Sequence, residues 1–378
     1  MIYREFTKDR LEISQLGFGC MRFPTKKLDD KDIIDEPEAI KIVRHAIENG
    51  VNYYDTAVFY HGGESEVVLG KALSGGFRER VYVADKFPVG YAKDENSMEE
   101  TLDKQLEKLQ TSYVDCYMLH GISKRDIPAI KEFKLIEKGE ELKKKGKIKY
   151  FGFSFHDSFE ALKEIAGLYD KWDFCQIQYN YLDQNSQATT KGLEFLYEKG
   201  ISVIIMEPLR GGALSDIPDN IRNIFDKIDK TRSSTNWALS WLFDKKEISF
   251  ILSGMSSMGQ LNENIEIAST KNAGCLTDEM RDAVDKVYEA YEKRIKVGCT
   301  DCKYCMPCPK GVDIPFNFTI LNSNYKLGTK NLWQYSLPGN KDKIASNCVS
   351  CKLCEPKCPQ KIKISELLNE MASEYKKD

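Results

Sequence analysis

Residues 81–120, VYVADKFPVGYAKDENSMEETLDKQLEKLQTSYVDCYMLH, hold the pattern that decides the fold. Two short apolar runs, at 81–86 and 114–120, enclose a stretch at 97–109 in which Met98, Leu102, Leu106 and Leu109 recur at steps of three and four. Helical spacing between two strand-like runs is the pattern of a crossover helix joining parallel strands. The alternation extends from Leu16 to about Asn272, with further strands expected at 16–20, 52–55, 148–154, 174–178, 202–206 and 250–254. Further helices are expected at 38–49, 158–168, 189–198 and 235–243. Eight strands alternating with helices predict an α/β fold, a closed (β/α)8 TIM barrel.

The stretch before the first of these strands, IYREFTKDRLEIS, reads as strand, turn, strand and is expected to plug the bottom of the barrel. KKKGK at 143–147 is expected to be a solvated helix end that Gly146 terminates. Residues 278–296 read as a long charged helix, and the switch to CTDCKYCMPC beyond it marks a boundary near 297. Two domains are therefore expected, 1–297 as the barrel and 298–378 as a small cysteine-rich domain. A chain of 378 residues exceeds the size at which one core usually stops growing.

Hydrophobic residues make up 42% and charged residues 30%, and no apolar run approaches the roughly 20 residues a membrane span needs. The start MIYREFTKDRLEIS has neither a basic opening nor the apolar stretch of a secretory signal, so a cytoplasmic location and no membrane partner are expected. A formal net charge of −3 and a pI near 6.0 give no general attraction for phosphate backbones, which argues against nucleic acid.

In a parallel barrel the working side chains project from the C-terminal ends of strands. Asp55, Lys86 and His120 close three apolar runs, and Tyr60 stands in the loop after the first. Singly they read as a cap, a solvated strand end, a satisfied polar group and a surface aromatic. Together they read as a site, because they meet only if the barrel closes. The segments DTAVFYHGGESEVVLGKAL, VADKF, DCYMLH and FGFSF resemble the successive signatures of the aldo/keto reductases, over roughly the first three-quarters of the chain. The resemblance implies an NAD(P)H-dependent oxidoreductase that reduces the carbonyl of a small aldehyde or ketone. In it Tyr60 is the general acid, Lys86 the cation that makes its phenolate accessible, Asp55 the partner of Lys86, and His120 the group that orients the carbonyl.

The resemblance also implies a nucleotide site. Gly19, Cys20 and Met21 approach the nicotinamide ribose, with Asp55 beside them, while Ser154 and Gln176 hold the carboxamide. Phe155 stands where the family has Asn, which leaves His156 as a substitute donor. Met206 takes the place of the ring-stacking tyrosine. Pro208, Leu209, Arg210, Gly211 and Gly212 line the pyrophosphate channel, and Glu263 and Asn264 match the adenine-binding pair. Gly254, Ser256 and Gln260 occupy places where the family carries Lys or Arg, so NAD(H) is favoured over NADP(H).

Eight of the 12 cysteines fall in two runs, Cys299, Cys302, Cys305, Cys308 and Cys348, Cys351, Cys354, Cys358, each followed by proline. The second run has the bacterial ferredoxin spacing as it stands, and the first is one residue shorter before its last cysteine. The pattern resembles a two-cluster ferredoxin. That resemblance implies two [4Fe-4S] clusters with crossed ligation, Cys299, Cys302, Cys305 and Cys358 on one, Cys348, Cys351, Cys354 and Cys308 on the other. Structural zinc is the competing reading, although zinc sites show separated pairs rather than runs of four. Cys20, Cys116, Cys175 and Cys275 are scattered and read as small core residues, with Cys20 near the cofactor. The aromatic stretch between the runs is too apolar for a linker and is expected to pack over the clusters or onto the barrel.

A redox protein partner stays open, but hydride delivers two electrons at once and each cluster accepts one, and no flavin signature is present to mediate. The rival to an enzyme is an electron-transfer or redox-sensing protein whose barrel binds nucleotide without turnover. The set of Asp55, Tyr60, Lys86 and His120 argues against it, because a sensor has no use for a positioned acid.

Overall fold

The structure is a computed structural model and describes residues 1–29, 31–337 and 339–374. The last residues of the expected C-terminal domain, 375–378, lie outside the described residues. The chain opens with an antiparallel hairpin, β1 (Tyr3–Phe6) and β2 (Leu11–Ser14), followed by β3 (Leu16–Gly19). A second hairpin, β4 (Thr25–Leu28) and β5 (Lys31–Ile34), precedes β6 (Tyr53–Asp55), β7 (Tyr82–Pro88) and β8 (Val114–Ile122). Then come β9 (Ile148–Phe155), β10 (Phe174–Gln178), β11 (Ser202–Met206) and β12 (Phe250–Ser253). Among the described residues β3 and β6 to β12 close into a barrel in chain order through parallel pairings only, with β12 returning to β3. This is the TIM barrel the strand count predicts.

Alternation along each strand decides what the barrel holds. Tyr53, Ala84, Met118, Tyr150, Phe174, Ile204 and Phe250 share one buried cluster inside the barrel. Side chains two residues further along face the same way. That rule carries Asp55, Lys86, His120, Gly152, Gln176, Met206 and Leu252 inward as the next layer toward the C-terminal ends.

The other end is closed by β1. The ring of Phe6 lies 5.2 Å from that of Phe250, 5.6 Å from Phe174, 6.1 Å from Tyr53 and 6.4 Å from Tyr150, so the hairpin is the expected plug. Phe6 is fully buried. Truncation to alanine leaves a cavity that the surrounding rings cannot fill, and Phe6→Ala is expected to cost about 3–5 kcal/mol. A urea titration of the barrel transition tests this, and an unchanged midpoint would show that the plug is dispensable.

Helices cover the barrel. The helix Ser65–Leu73 lies directly on the end of Ser97–Leu109, because a Cβ on Gly70 would stand 2.7–2.8 Å from backbone atoms of Lys108 and Leu109. That approach pairs Lys108 with the buried Glu66 at 2.7 Å. The lysines of 143–147 are not merely solvated. The helix Leu135–Lys144 ends just before Gly146, at φ +71°, and Lys143, Lys145 and Lys147 pair with Asp173, Glu99 and Glu99 respectively at 2.8–2.9 Å. Charged neighbours on adjacent elements explain the difference, which the run itself does not reveal.

The chain forms two compact units, Met1–Ser215 with Arg232–Arg281, and Asp216–Thr231 with Asp282–Asp378. The second unit has its own core, built from Val297, Ile314, Phe318, Leu321, Ile364 and Leu368 among others. Helices Ile314–Leu327 and Ile364–Glu374 supply most of it, so the first half of the aromatic stretch between the cysteine runs is a helix that builds this core, while Tyr325, Trp333 and Leu337 are exposed. Among the described residues no helix is long and apolar enough to cross a membrane.

Candidate active site

Four of the expected residues meet at the C-terminal ends of β6, β7 and β8. Lys86 Nζ donates to Asp55 Oδ1 at 2.5 Å, to the Thr56 carbonyl at 2.7 Å and to Tyr60 Oη at 3.4 Å. An ammonium has three N–H donors, and here each has an acceptor. Lys86 is only 1% exposed, so this coordination is what keeps a buried charge tolerable. The β7 alternation sends the preceding Asp85 the other way, toward Ser97–Leu109, where Asp85 Oδ1 accepts from the Lys86 backbone and from Gln105 Nε2, both at 2.8 Å. Gln105 also donates to the Lys86 carbonyl at 3.0 Å, so both faces of the strand are fixed at the lysine.

His120 is edge-on to Tyr60, with ring centroids 6.3 Å apart, and stacks on Phe59 at 5.9 Å. Its Nδ1 is buried with no hydrogen-bond partner. Burial, the Lys86 cation and then His156 push the imidazole down to about 3, so it is neutral at ordinary pH. Burial pushes the Tyr60 phenol up and Lys86 pulls it back, which leaves a protonated hydroxyl beside a cation. Burial opposes the charge on Lys86, but Asp55 and Tyr60 outweigh it and raise the ammonium above its ordinary value. Asp55 is pushed up by burial and restrained by Lys86.

The residues expected to meet a nicotinamide lie on the adjoining strands. Gly19 pairs with Asp55 across β3 and β6, and Cys20 is buried at the start of the turn Cys20–Arg22, while Met21 is exposed. Ser154 and Gln176 are direct partners in the β9–β10 register. Ser154 Oγ accepts from Gly121 N–H at 2.6 Å and keeps its own proton to donate. Gln176 Nε2 is turned to Met206 Sδ at 3.6 Å, and its Oε1 is buried without a partner. An unpaired acceptor beside a hydroxyl donor suits a primary amide, which offers both functions, so these side chains fit a carboxamide. Phe155 is buried and donates nothing, and His156 Nδ1 is engaged with Gln187 Oε1 at 3.1 Å.

Further along the wall, Pro208 and Leu209 lead into the turn Arg210–Gly212, where Gly211 has φ +66°. Arg210 is held by Asp183 at 3.0 Å. Gly254 follows β12, Ser256 N–H donates to Gln260 Oε1 at 2.8 Å, and Glu263 accepts from Ser233 Oγ at 2.5 Å. Asn264 is buried and donates to Ser253 Oγ at 2.9 Å. Two contributors escape the sequence reading. The Thr56 carbonyl is backbone and carries no residue signal, and Phe59 hides beside the more conspicuous Tyr60.

In the second unit, Cys299, Cys302, Cys305 and Cys358 line one cavity with Ile314, Phe318 and Ile364. Burial raises the thiols of Cys305 and Cys354 above the ordinary cysteine value, and neighbouring cysteines add to the shift. Cys308, Cys348, Cys354 and Cys358 pack against the apolar core, while Cys302 and Cys351 are exposed. Among the described residues no three ligand-type side chains converge as tightly as a single metal ion requires. A cubane is a larger body than one ion, and thiols spaced around a cavity fit it. Cys20, Cys116 and Cys175 are buried and Cys275 partly so.

A family profile described as the aldo/keto reductase family matches residues 15–289, and one described as a 4Fe-4S dicluster domain matches 298–363. The uncharacterized oxidoreductase YqkF of Bacillus subtilis (strain 168) is 30% identical over 310 residues, 73% of this chain and 93% of that one. L-galactose dehydrogenase of Arabidopsis thaliana is 27% identical over 301 residues, 74% of this chain and 92% of its own length. Among solved structures, aldo-keto reductase AKR11C1 from Bacillus halodurans in its holo form superposes with a TM-score of 0.64 at 28% identity, covering 76% of this chain and 96% of that one.

Proposed function

The chain belongs to the aldo/keto reductase family and carries a 4Fe-4S ferredoxin-type domain, and from that premise we propose that it reduces small aldehydes or ketones with NAD(P)H, using Tyr60 as general acid. The observation that carries the reading is the Lys86 ammonium shared among Asp55, the Thr56 carbonyl and Tyr60 Oη. A bound dihydronicotinamide supplies the hydride. As charge develops on the carbonyl oxygen, Tyr60 Oη gives up its proton to it, and Lys86 stabilises the phenolate that remains. Neutral His120 donates a ring N–H to the same oxygen and orients the carbonyl without adding a second cation. Ser154 and Gln176 hold the carboxamide, so that one face of the ring meets the substrate.

We assign residues 1–297 to the reductase part and 298–378 to the iron–sulfur part, with two [4Fe-4S] clusters. The crossed ligand sets are Cys299, Cys302, Cys305, Cys358 and Cys308, Cys348, Cys351, Cys354. NAD(H) is the favoured cofactor, because Gly254, Ser256 and Gln260 offer no cation to a 2′-phosphate.

The test is anaerobic oxidation of NADH and NADPH by the cluster-loaded protein over a panel of aldehydes, ketones and quinones, repeated from pH 8 to pH 5. Carbonyl-dependent turnover is expected, faster with NADH. Its kcat/KM is expected to show no histidine limb near pH 6.5, since His120 gains its proton only near pH 3. The stability sign follows from the same depression. The unfolded chain takes up this proton below about pH 6.5 and the folded chain does not, so folding stability falls as pH drops from there toward 3. Tight nucleotide binding with no turnover on any carbonyl would replace the enzyme by a sensor.

A further inference from the structure

We propose that Asp85 and Glu66 share one proton on the outer side of β7, so that Asp85 works as a neutral acid that positions Lys86 from behind. The positioning role rests on the reductase reading above, and the shared proton does not. Alternation along β7 sends Lys86 into the barrel and Asp85 out toward Ser97–Leu109, on whose end the helix Ser65–Leu73 lies and carries Glu66. Asp85 and Glu66 are both fully buried. Each has one oxygen, Asp85 Oδ2 and Glu66 Oε1, buried with no hydrogen-bond partner.

The surrounding hydrogen bonds decide where that proton sits. The Lys86 carbonyl can only accept, so the Gln105 amide that meets it at 3.0 Å has its nitrogen toward the strand, and Tyr117 Oη donates to Gln105 Oε1 at 2.7 Å. The same nitrogen and the Lys86 N–H both donate to Asp85 Oδ1 at 2.8 Å, which fixes Oδ1 as an acceptor. Glu66 Oε2 accepts from Lys108 Nζ at 2.7 Å. One oxygen remains on each carboxyl group. A proton on Asp85 Oδ2 gives Glu66 Oε1 its donor, and both groups are then satisfied.

Charge points the same way. The Lys86 ammonium lies on the other face of the strand and is taken by Asp55, the Thr56 carbonyl and Tyr60, which leaves Lys108 as the direct cationic partner of the pair. With the proton shared, one anion faces one cation; without it, a buried carboxylate goes uncompensated. Burial first and the Glu66 charge second push the Asp85 carboxyl well above the usual carboxylate range, Asp55 adds to the rise, and the Lys86 N–H and ammonium pull against it. The remaining titratable neighbours are Tyr117 on β8 and the buried Cys20, both of which burial and the Asp85 charge raise, and Asp103, which is paired with Lys147. A neutral Asp85 leaves Asp55 as the carboxylate set against the Lys86 charge, so the cation keeps its effect on the Tyr60 phenol. Through Oδ1 it also fixes the main chain from which the lysine projects.

Urea titration of the barrel transition in the cluster-loaded full chain, from pH 5 to pH 8, tests the proton in wild type and Asp85→Asn, whose amide repeats the acceptor and the donor of the neutral acid. Groups common to both proteins cancel in the comparison. The unfolded aspartate loses its proton near about 3.9 and the folded one keeps it, so wild-type stability falls relative to the variant as pH rises. The ratio of their unfolding constants is expected to change about tenfold per pH unit until the folded carboxyl itself titrates. A ratio independent of pH would overturn the shared proton. Carbonyl reduction by Asp85→Ala and Asp85→Asn tests the positioning. Asp85→Ala is expected to lower kcat/KM about 10- to 100-fold, the scale of a misplaced reacting group, and Asp85→Asn to recover most of that loss. Equal losses in the two variants would mean that a carboxylate charge is needed and would overturn the neutral role. Absence of turnover in the wild type would remove the reductase reading and the positioning with it, while the stability ratio still decides the proton.

Discussion

Replacing Tyr60 by phenylalanine is expected to lower kcat/KM for carbonyl reduction by about 10²- to 10⁴-fold, the usual contribution of a positioned general acid. The ring would remain where Lys86 already lies 4.9 Å from its centroid, and only the hydroxyl would go. Lys86 would keep two of its three acceptors, Asp55 and the Thr56 carbonyl, so the buried charge and its surroundings should persist. Nucleotide affinity is therefore expected to stay within a few-fold of wild type while turnover collapses. That separation is the signature of an interaction made in the transition state rather than in binding. A loss of less than tenfold would mean that the proton comes from elsewhere, with His120 or a water as the donor, and Tyr60 would be demoted to a wall of the pocket.

Cys358→Ala is expected to remove the cluster bound by the first cysteine run, although Cys358 belongs to the second. Cys358 shares a cavity with Cys299, Cys302 and Cys305. Iron should fall from about eight to about four atoms per chain, as expected for loss of one of two cubanes. The spectroscopic signal that survives should be the one that Cys351→Ala abolishes, and Cys302→Ala should remove the same signal as Cys358→Ala. If Cys358→Ala and Cys351→Ala instead remove the same cluster, each run holds its own, and the crossed assignment fails.

The barrel was legible because its strands are buried on both faces and stand out as apolar runs. All eight appear within a few residues of their expected places, with β7 and β8 running on to Pro88 and Ile122 past the polar side chains taken as their ends. The hairpin of β4 and β5 was not legible. Its residues are largely exposed and charged, TKKL and KDII, and carry no burial pattern to read. The long charged helix expected over 278–296 stops at Glu292, since residues 293–296 continue its charged pattern with no glycine or proline to mark the end. At the site, side chains that close strands announced themselves, whereas the Thr56 carbonyl that takes one of the Lys86 donors is backbone and carries no residue signal.

The aromatic plug around Phe6 has a kinetic meaning. A barrel stoppered at that end has one doorway, and both reactants must share it. Under the proposed reading the nicotinamide rests against Ser154 and Gln176, which are buried, while the carbonyl rests against Tyr60 and His120, which are nearer the surface. Whatever goes deeper must arrive first and depart last. The floor of the barrel would then impose a compulsory order of traffic, nucleotide in, carbonyl in, alcohol out, nucleotide out, and product-inhibition patterns would register that queue even though no residue of the plug touches either reactant.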